Sequence, residues 1–238
     1  MLALPPELVL SAYASGLFPM GKDRHDPTIH WLDPIRRGII PLDRFHVPRS
    51  LRKTLRKRPF EIRVDHDFAA VIHACAEPTP ERPRTWLNDE LIDTYIHLHR
   101  RGFAHSIECW REGALVGGLY GVALGGAFFG ESMFSRVRDA SKVALVELVL
   151  RLRTAGYELL DTQFVTDHLR RFGAIEISRQ DYRVRLRHAI LKSVAFPGEP
   201  GSYAYRTFAP ASPSPAGGAS GAASPAGSGS RQSSSHTS

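Results

Sequence analysis

Apolar positions along the chain switch between two periods. Residues 104–111, 115–123 and 126–131 alternate or run apolar over strand lengths, and Glu112-Gly113 and Leu124-Gly125 separate them. That pattern predicts a three-stranded meander. Residues 140–155 then carry Val143, Leu145, Val146, Leu148, Val149, Leu150 and Leu152. These predict a buried helix, apolar around much of its circumference and ended by Gly156. Residues 158–163 return to a strand. A strand, a helix and a second strand of this length form a right-handed crossover with the strands parallel. Glu131 closes the first strand, ahead of Ser132-Met133-Phe134-Ser135, and Asp161-Thr162-Gln163 closes the second. Their ends are expected at one sheet edge, where open α/β sheets bind ligands. The i, i+2 spacing of Asp161 and Gln163 puts both on one face. Two carboxylates and an amide beside an apolar Met133-Phe134 pair point to a cleft that handles an amine.

The remaining pattern predicts helices over residues 8–15, 48–57 and 68–76. Another is capped by Asn88, with Asp89 and Glu90 in its first turn and Gly102 just past its end. A short helix over 167–172 stops at Gly173, and Ser178 to Asp181 resembles a capping box before a helix over 182–193. The expected fold is α+β: an N-acetyltransferase-like mixed sheet with a crossover helix over residues 61–211, plus a small N-terminal mixed domain over 1–60. Residues 212–238 are Ser, Pro, Ala and Gly for the most part and are expected to be disordered. No apolar run of eighteen residues occurs in the 238, and the N-terminus has no signal-peptide pattern. Cys75 and Cys109 lack metal-binding spacing and read as buried thiols in a reducing cytoplasm. His25 and His30 lack a third partner, so no metal is expected.

Charge changes the picture. The net charge is +7, and residues 36–58 hold Arg36, Arg37, Arg44, Arg49, Arg52, Lys53, Arg56, Lys57 and Arg58 against Asp43 alone. Arg49, Arg52, Lys53, Arg56 and Lys57 follow helical steps, giving one basic face suited to a polyanion, most commonly nucleic acid. Trp31 and Trp86 lie beside turn signals, placed either to stack on bases or to staple loops to the core. An acetyltransferase scaffold would carry a glycine-rich loop before the crossover helix to hold pyrophosphate. Here the segment is Phe134-Ser135-Arg136-Val137-Arg138-Asp139, without glycine, which argues against coenzyme A as acyl donor. Gly125-Gly126 precedes a strand and serves a turn. His168 reads as a packing residue near the cleft and a secondary catalytic candidate.

With these segments in place, the chain resembles the bacterial leucyl/phenylalanyl-tRNA–protein transferases from about residue 8 to 208. The markers are Gly16-Leu17-Phe18-Pro19, Trp31-Leu32-Asp33-Pro34, residues 103–108, residues 115–121, Gly130-Glu131-Ser132-Met133-Phe134-Ser135, Ala140-Ser141-Lys142, Asp161-Thr162-Gln163 and Asp167-His168, in that order. Met20 stands where the family often has Trp. The resemblance implies a cytoplasmic aminoacyltransferase without coenzyme A. It would move Leu or Phe from aminoacyl-tRNA to the N-terminal amine of proteins beginning with Arg or Lys, marking them for degradation.

The roles expected on that basis are as follows. Asp161 polarises or deprotonates the attacking amine, and Gln163 hydrogen-bonds the reacting centre. Glu131 binds the cationic acceptor side chain. Leu119, Met133 and Leu160 form the pocket for Leu or Phe, and Phe134, Ser135, Trp31 and Trp86 complete the substrate-binding set. Arg49, Arg52, Lys53, Arg56 and Lys57 hold tRNA. An activated ester needs no cofactor, nucleotide or metal. Two rivals stand beside this reading: a coenzyme A-dependent N-acetyltransferase, and a noncatalytic RNA-binding module.

Overall fold

The structure, a computed structural model, describes residues 4–79, 83–198 and 201–209. In chain order, α1 (Pro6–Ala14) leads to β1 (Phe18–Gly21), β2 (Ile29–Leu32) and β3 (Arg36–Ile40). Then come α2 (Arg49–Lys57), β4 (Glu61–Val64), α3 (Phe68–Ala76) and α4 (Asp89–Arg100). The meander is β5 (Ala104–Arg111), β6 (Ala114–Leu124) and β7 (Ala127–Ser135), followed by α5 (Ala140–Ala155) and β8 (Leu159–Gln163). The chain continues through α6 (Asp167–Arg170), β9 (Ile175–Ser178), α7 (Arg179–Ile190) and α8 (Tyr203–Thr207).

A seven-stranded sheet has the order β4-β5-β6-β7-β8-β3-β9, and β1 and β2 form a separate antiparallel pair. Within the large sheet β7 and β8 are parallel and every other pairing is antiparallel. The α+β class and the crossover read from the sequence are both present. Alternation along each strand divides the core in two. Ile39, Tyr120, Phe129 and Leu159 pack with α1, α3, α4 and α7. Their neighbours Ile40, Leu119, Phe128 and Leu160 pack with α2 and α5 on the other face.

Several boundaries differ from the sequence reading. The strand expected to end at residue 131 runs on to Ser135, because Gly117 and Gly118 of β6 still pair with Ser135 and Phe134. A Cβ on Gly117 would sit 2.4 Å from Cβ of Ala140, so glycine there lets α5 start close against the sheet. The helix expected from residue 182 begins at Arg179, where Ser178 caps it by accepting from the Asp181 N–H. Residues 1–60 do not pack as one unit. β3 lies inside the main sheet between β8 and β9, and Leu51 and Leu55 of α2 are buried with α5. Val9, Tyr13 and Phe18, ahead of β3, likewise share one core with Ile39, Phe129 and Tyr182. The tail expected over 212–238 lies outside the described residues.

Candidate active site

Two bulges shape the edge where β7 and β8 end. Tyr120 pairs with Ser132 and Gly121 with Gly130, so Glu131 has no partner residue on β6. The extra residue reverses the phase of β7 beyond it, and Met133 comes opposite Leu119. On β8, Gly38 pairs with Gln163 and Ile39 with Asp161, which leaves Thr162 as the extra residue. Gln163 adopts φ +55°, a left-handed conformation uncommon for a side-chain-bearing residue. Its N–H donates to Asp161 Oδ1 at 2.8 Å, which holds the turn. A Cβ on Gly38 would lie 2.7 Å from the carbonyl carbon of Phe164, so glycine makes room for that turn.

The bulge separates the two residues expected to share a face. Gln163 lines a cavity of about 340 Å3, within the roughly 300–1,000 Å3 usual for small-molecule sites. Asp161 lies behind it, fully buried. The Arg37 guanidinium donates to both Asp161 oxygens, through Nε at 3.0 and 3.2 Å and Nη2 at 2.6 Å. The Tyr182 hydroxyl donates to Oδ2 at 2.7 Å. Arg37 is itself 1% exposed. Its Nη1 donates to the Gly16 carbonyl, and its guanidinium carbon lies 4.5 and 4.4 Å from the ring centres of Phe18 and Tyr182. Burial works to discharge Arg37, but the Asp161 carboxylate outweighs it and holds the guanidinium pKa above its ordinary value. With both oxygens occupied and no exposed surface, Asp161 has no route to a substrate proton.

Glu131 sits between the cavity and a buried hydroxyl pair. Gln163 Nε2 donates to Oε1 at 3.2 Å, the Tyr95 hydroxyl donates to Oε2 at 3.0 Å, and the Tyr13 and Tyr95 hydroxyls are 2.7 Å apart. Burial pushes the Glu131 carboxyl up to about 7. The tyrosine hydroxyls oppose that rise, the Asp161 charge adds to it, and the Arg37 charge opposes it. A carboxyl poised near neutrality in a cavity is a common mark of a functional site.

Leu119, Met133, Leu160 and Trp86 line the same cavity, with Met20, Leu145 and Leu148 among the residues not expected there. Three residues of the expected substrate-binding set stay outside it, as Asp161 does. Trp31 lies in β2 opposite Pro19 and packs on the core. Phe134 is buried on the far face of β7, with the Arg136 guanidinium carbon 5.3 Å from its ring centre. Ser135 ties the turn into α5, donating to the Val137 carbonyl and accepting from the Ser141 N–H. His168 does line the cavity. Its Nε2 is buried without a hydrogen-bond partner among the described residues, and burial, with Lys142 and Arg171 nearby, lowers its pKa.

The basic helix forms as expected, with Arg49, Arg52, Lys53, Arg56 and Lys57 all exposed. Leu51 and Leu55 anchor it on the opposite side. Arg49, Arg52, Lys53 and Arg56 line one surface groove with His46 and Val47, while Lys57 lies beyond it. Arg37, counted by sequence with this basic run, belongs instead to the buried pair. The sequence reading also missed Tyr13, Tyr95 and Tyr182. Arg37 alone carried a signal, since it shares the inward phase of β3 with Ile39. Among the described residues no cluster of three His, Cys, Asp or Glu could hold a metal, and no helix is long and apolar enough to cross a membrane.

Comparison with known proteins gives this edge its context. Residues 39–187 match the family model described as leucyl/phenylalanyl-tRNA protein transferase, and residues 3–35 match that family's N-terminal domain. The junction between the two models falls within β3. A leucyl/phenylalanyl-tRNA–protein transferase of Paramagnetospirillum magneticum is 57% identical over 196 residues, 82% of this chain and 94% of the relative. The Maricaulis maris enzyme of the same name is 57% identical over 194 residues, 82% of this chain and 90% of its own length. That of Rhodopseudomonas palustris is 56% identical, covering 83% of this chain and 88% of its own length. The protein is thus an enzyme of the transferase class. More narrowly, the chain belongs to the leucyl/phenylalanyl-tRNA protein transferase family, whose members are aminoacyltransferases.

Proposed function

We propose that this enzyme moves Leu or Phe from aminoacyl-tRNA to the N-terminal α-amine of proteins beginning with Arg or Lys, in the cytoplasm, marking them for degradation. The observation that carries the reading is the union of an apolar chamber with one cation-attracting wall. Leu119, Met133, Leu145, Leu148 and Leu160 suit a Leu or Phe side chain, and Glu131 suits the charge of an acceptor Arg or Lys. A Leu or Phe chamber separates side chains by roughly 1–3 kcal/mol per methylene, so large apolar groups are favoured without strict exclusion.

The acceptor amine, in its neutral form, attacks the ester carbonyl. The C–O bond to the terminal ribose breaks, the amide bond forms, and the amine proton passes to the departing hydroxyl or to water. Gln163 reaches the reacting centre from the β8 turn. Asp161 acts through it as a positioning residue, holding the Gln163 backbone and balancing Arg37. Tyr13 and Tyr95 fix the Glu131 carboxyl. The contribution is mostly orientation, the largest resource for an ester already activated. Arg49, Arg52, Lys53, Arg56 and Lys57 hold the tRNA phosphates.

Labelled Leu-tRNA mixed with two otherwise identical proteins, one starting with Arg and one with Ala, tests this reading without coenzyme A present. Label on the Arg protein alone is expected. Absence of transfer at low salt, or equal transfer to both, would sink it.

A further inference from the structure

We propose that Arg170 and Arg171, on the rim between the α2 groove and the cavity, hold the backbone phosphates of the single-stranded 3′ end of the donor tRNA. This rests on the function proposed above and adds a binding surface outside both the cavity and α2. One flank of α6 faces the cavity, where Thr166, His168 and Leu169 form part of the wall. The other flank is joined to the segment that leads into α2. The His46 N–H donates to the Phe172 carbonyl at 3.0 Å, and the Phe45 and Phe172 rings stack at 5.7 Å. His46 and Val47 are themselves part of the basic groove. The path from the groove through Phe172 to Leu169 is therefore continuous, and Arg170 and Arg171 lie along it.

Both arginines are exposed. Arg170 faces only a loose contact with Asp167 at 3.9 Å, whose carboxylate is itself fully exposed. Arg171 has no ion pair among the described residues. Lys142 stands behind the rim but is engaged by Asp139 at 2.8 Å. The field of Arg171 and Lys142 reaches His168 in the cavity wall, where, after burial, it helps hold the imidazole neutral. A donor with its ester in the cavity and its duplex on α2 must lead its last nucleotides over this rim. Those nucleotides carry one phosphate each, and single strands are held by basic tracks of this kind.

Three donors separate the possibilities: Leu-tRNA, a short 3′-leucylated oligonucleotide, and leucyl-adenosine, which has no phosphate. Arg170→Ala with Arg171→Ala is expected to lower kcat/KM on the first two and leave the third unchanged. Each lost single-strand phosphate contact reduces the salt slope by about 0.7, or about 1.4 for the pair. The deficit against the unsubstituted enzyme should then shrink about sevenfold between 50 and 200 mM salt. Arg170→Lys with Arg171→Lys should restore most of the rate. Full activity of the alanine pair on the oligonucleotide overturns the proposal. So does an equal loss on leucyl-adenosine, which marks damage to the cavity. If the unsubstituted enzyme transfers from none of the three donors, the proposed function itself fails, a result distinct from the other two.

Discussion

Replacing Asp161 with Asn separates a reacting carboxylate from a structural one. The side chain keeps its shape and one acceptor, so the Gln163 N–H retains a partner. The amide nitrogen, however, would occupy the place of Oδ2, which now receives Arg37 Nη2 at 2.6 Å and the Tyr182 hydroxyl at 2.7 Å. Three donors would then face one another around a guanidinium 1% exposed. Breaking a buried pair by removing one partner costs about 3–5 kcal/mol. In a protein of this size that lowers the melting temperature by roughly 10 °C. Thermal unfolding by circular dichroism reads this directly, alongside transfer from Leu-tRNA. Replacing both partners, Arg37→Met with Asp161→Leu, removes the stranded charge and should recover most of the stability. It leaves Gln163 without its anchor, so transfer should stay low. The reasoning fails if Asp161→Asn melts within about 1 °C of the unsubstituted protein while transfer is lost. That result would put the carboxylate in the chemistry and not behind it.

Three further outcomes are expected. The folded protein keeps the Glu131 proton up to about pH 7, whereas a free carboxyl of this type loses it near 4.5. Glu131 therefore subtracts stability as pH rises through that window, and Glu131→Gln should flatten this part of the denaturation profile. The KM for an Arg-starting acceptor should fall as pH passes 7 in the parent enzyme. It should lose that step in Glu131→Gln, leaving only the acceptor amine's own ionisation near 7.7–8.0. Gly38→Ala drives a methyl group against the Phe164 backbone at 2.7 Å, so single-turnover transfer should drop at least tenfold with tRNA affinity unchanged. Arg52→Ala with Lys53→Ala should reduce the slope of log affinity against log salt by about 1.8 for tRNA, measured by filter binding, without altering transfer from leucyl-adenosine.

The parts of the fold carried by local period were legible before the structure. α3 and α5 have the bounds that their apolar spacing predicts, and the Asn88 cap accepts from the Leu91 N–H as its position implies. β1, β2, β3, β4 and β9 lack such a signal: each spans only four or five residues and, unlike β8 of similar length, none follows a long buried helix. Such a run shows barely two repeats of an alternation. β3 has a further disguise, since Arg36-Arg37 reads as the start of a charge run. It acquires meaning only when β8 and β9, far along the chain, close around it.

The bulges account for what the sequence reading of the site captured and what it lost. Regular alternation would put Glu131 and Met133 of β7 and Asp161 and Gln163 of β8 all on the face of Phe129 and Leu159. One additional residue in each strand breaks both pairs: Met133 crosses to join Leu119, and Gln163 turns into the cavity while Asp161 stays behind. A bulge leaves no mark in a period-2 pattern unless a glycine or a positive φ betrays it. Its signs here lie in distant residues, in Gly121 of β6 and Gly38 of β3, where a Cβ would strike Phe129 and Phe164. The membership of the polar group could therefore be inferred from chain order, because a parallel crossover forces its strand ends together. The division of labour within it could not, because that depends on which side of the sheet each bulge sends the next side chain. It follows that substitutions at Gly38 and Gly121, which touch no substrate, should disturb the chemistry more than substitutions at Phe134 or Ser135, which the motif itself contains.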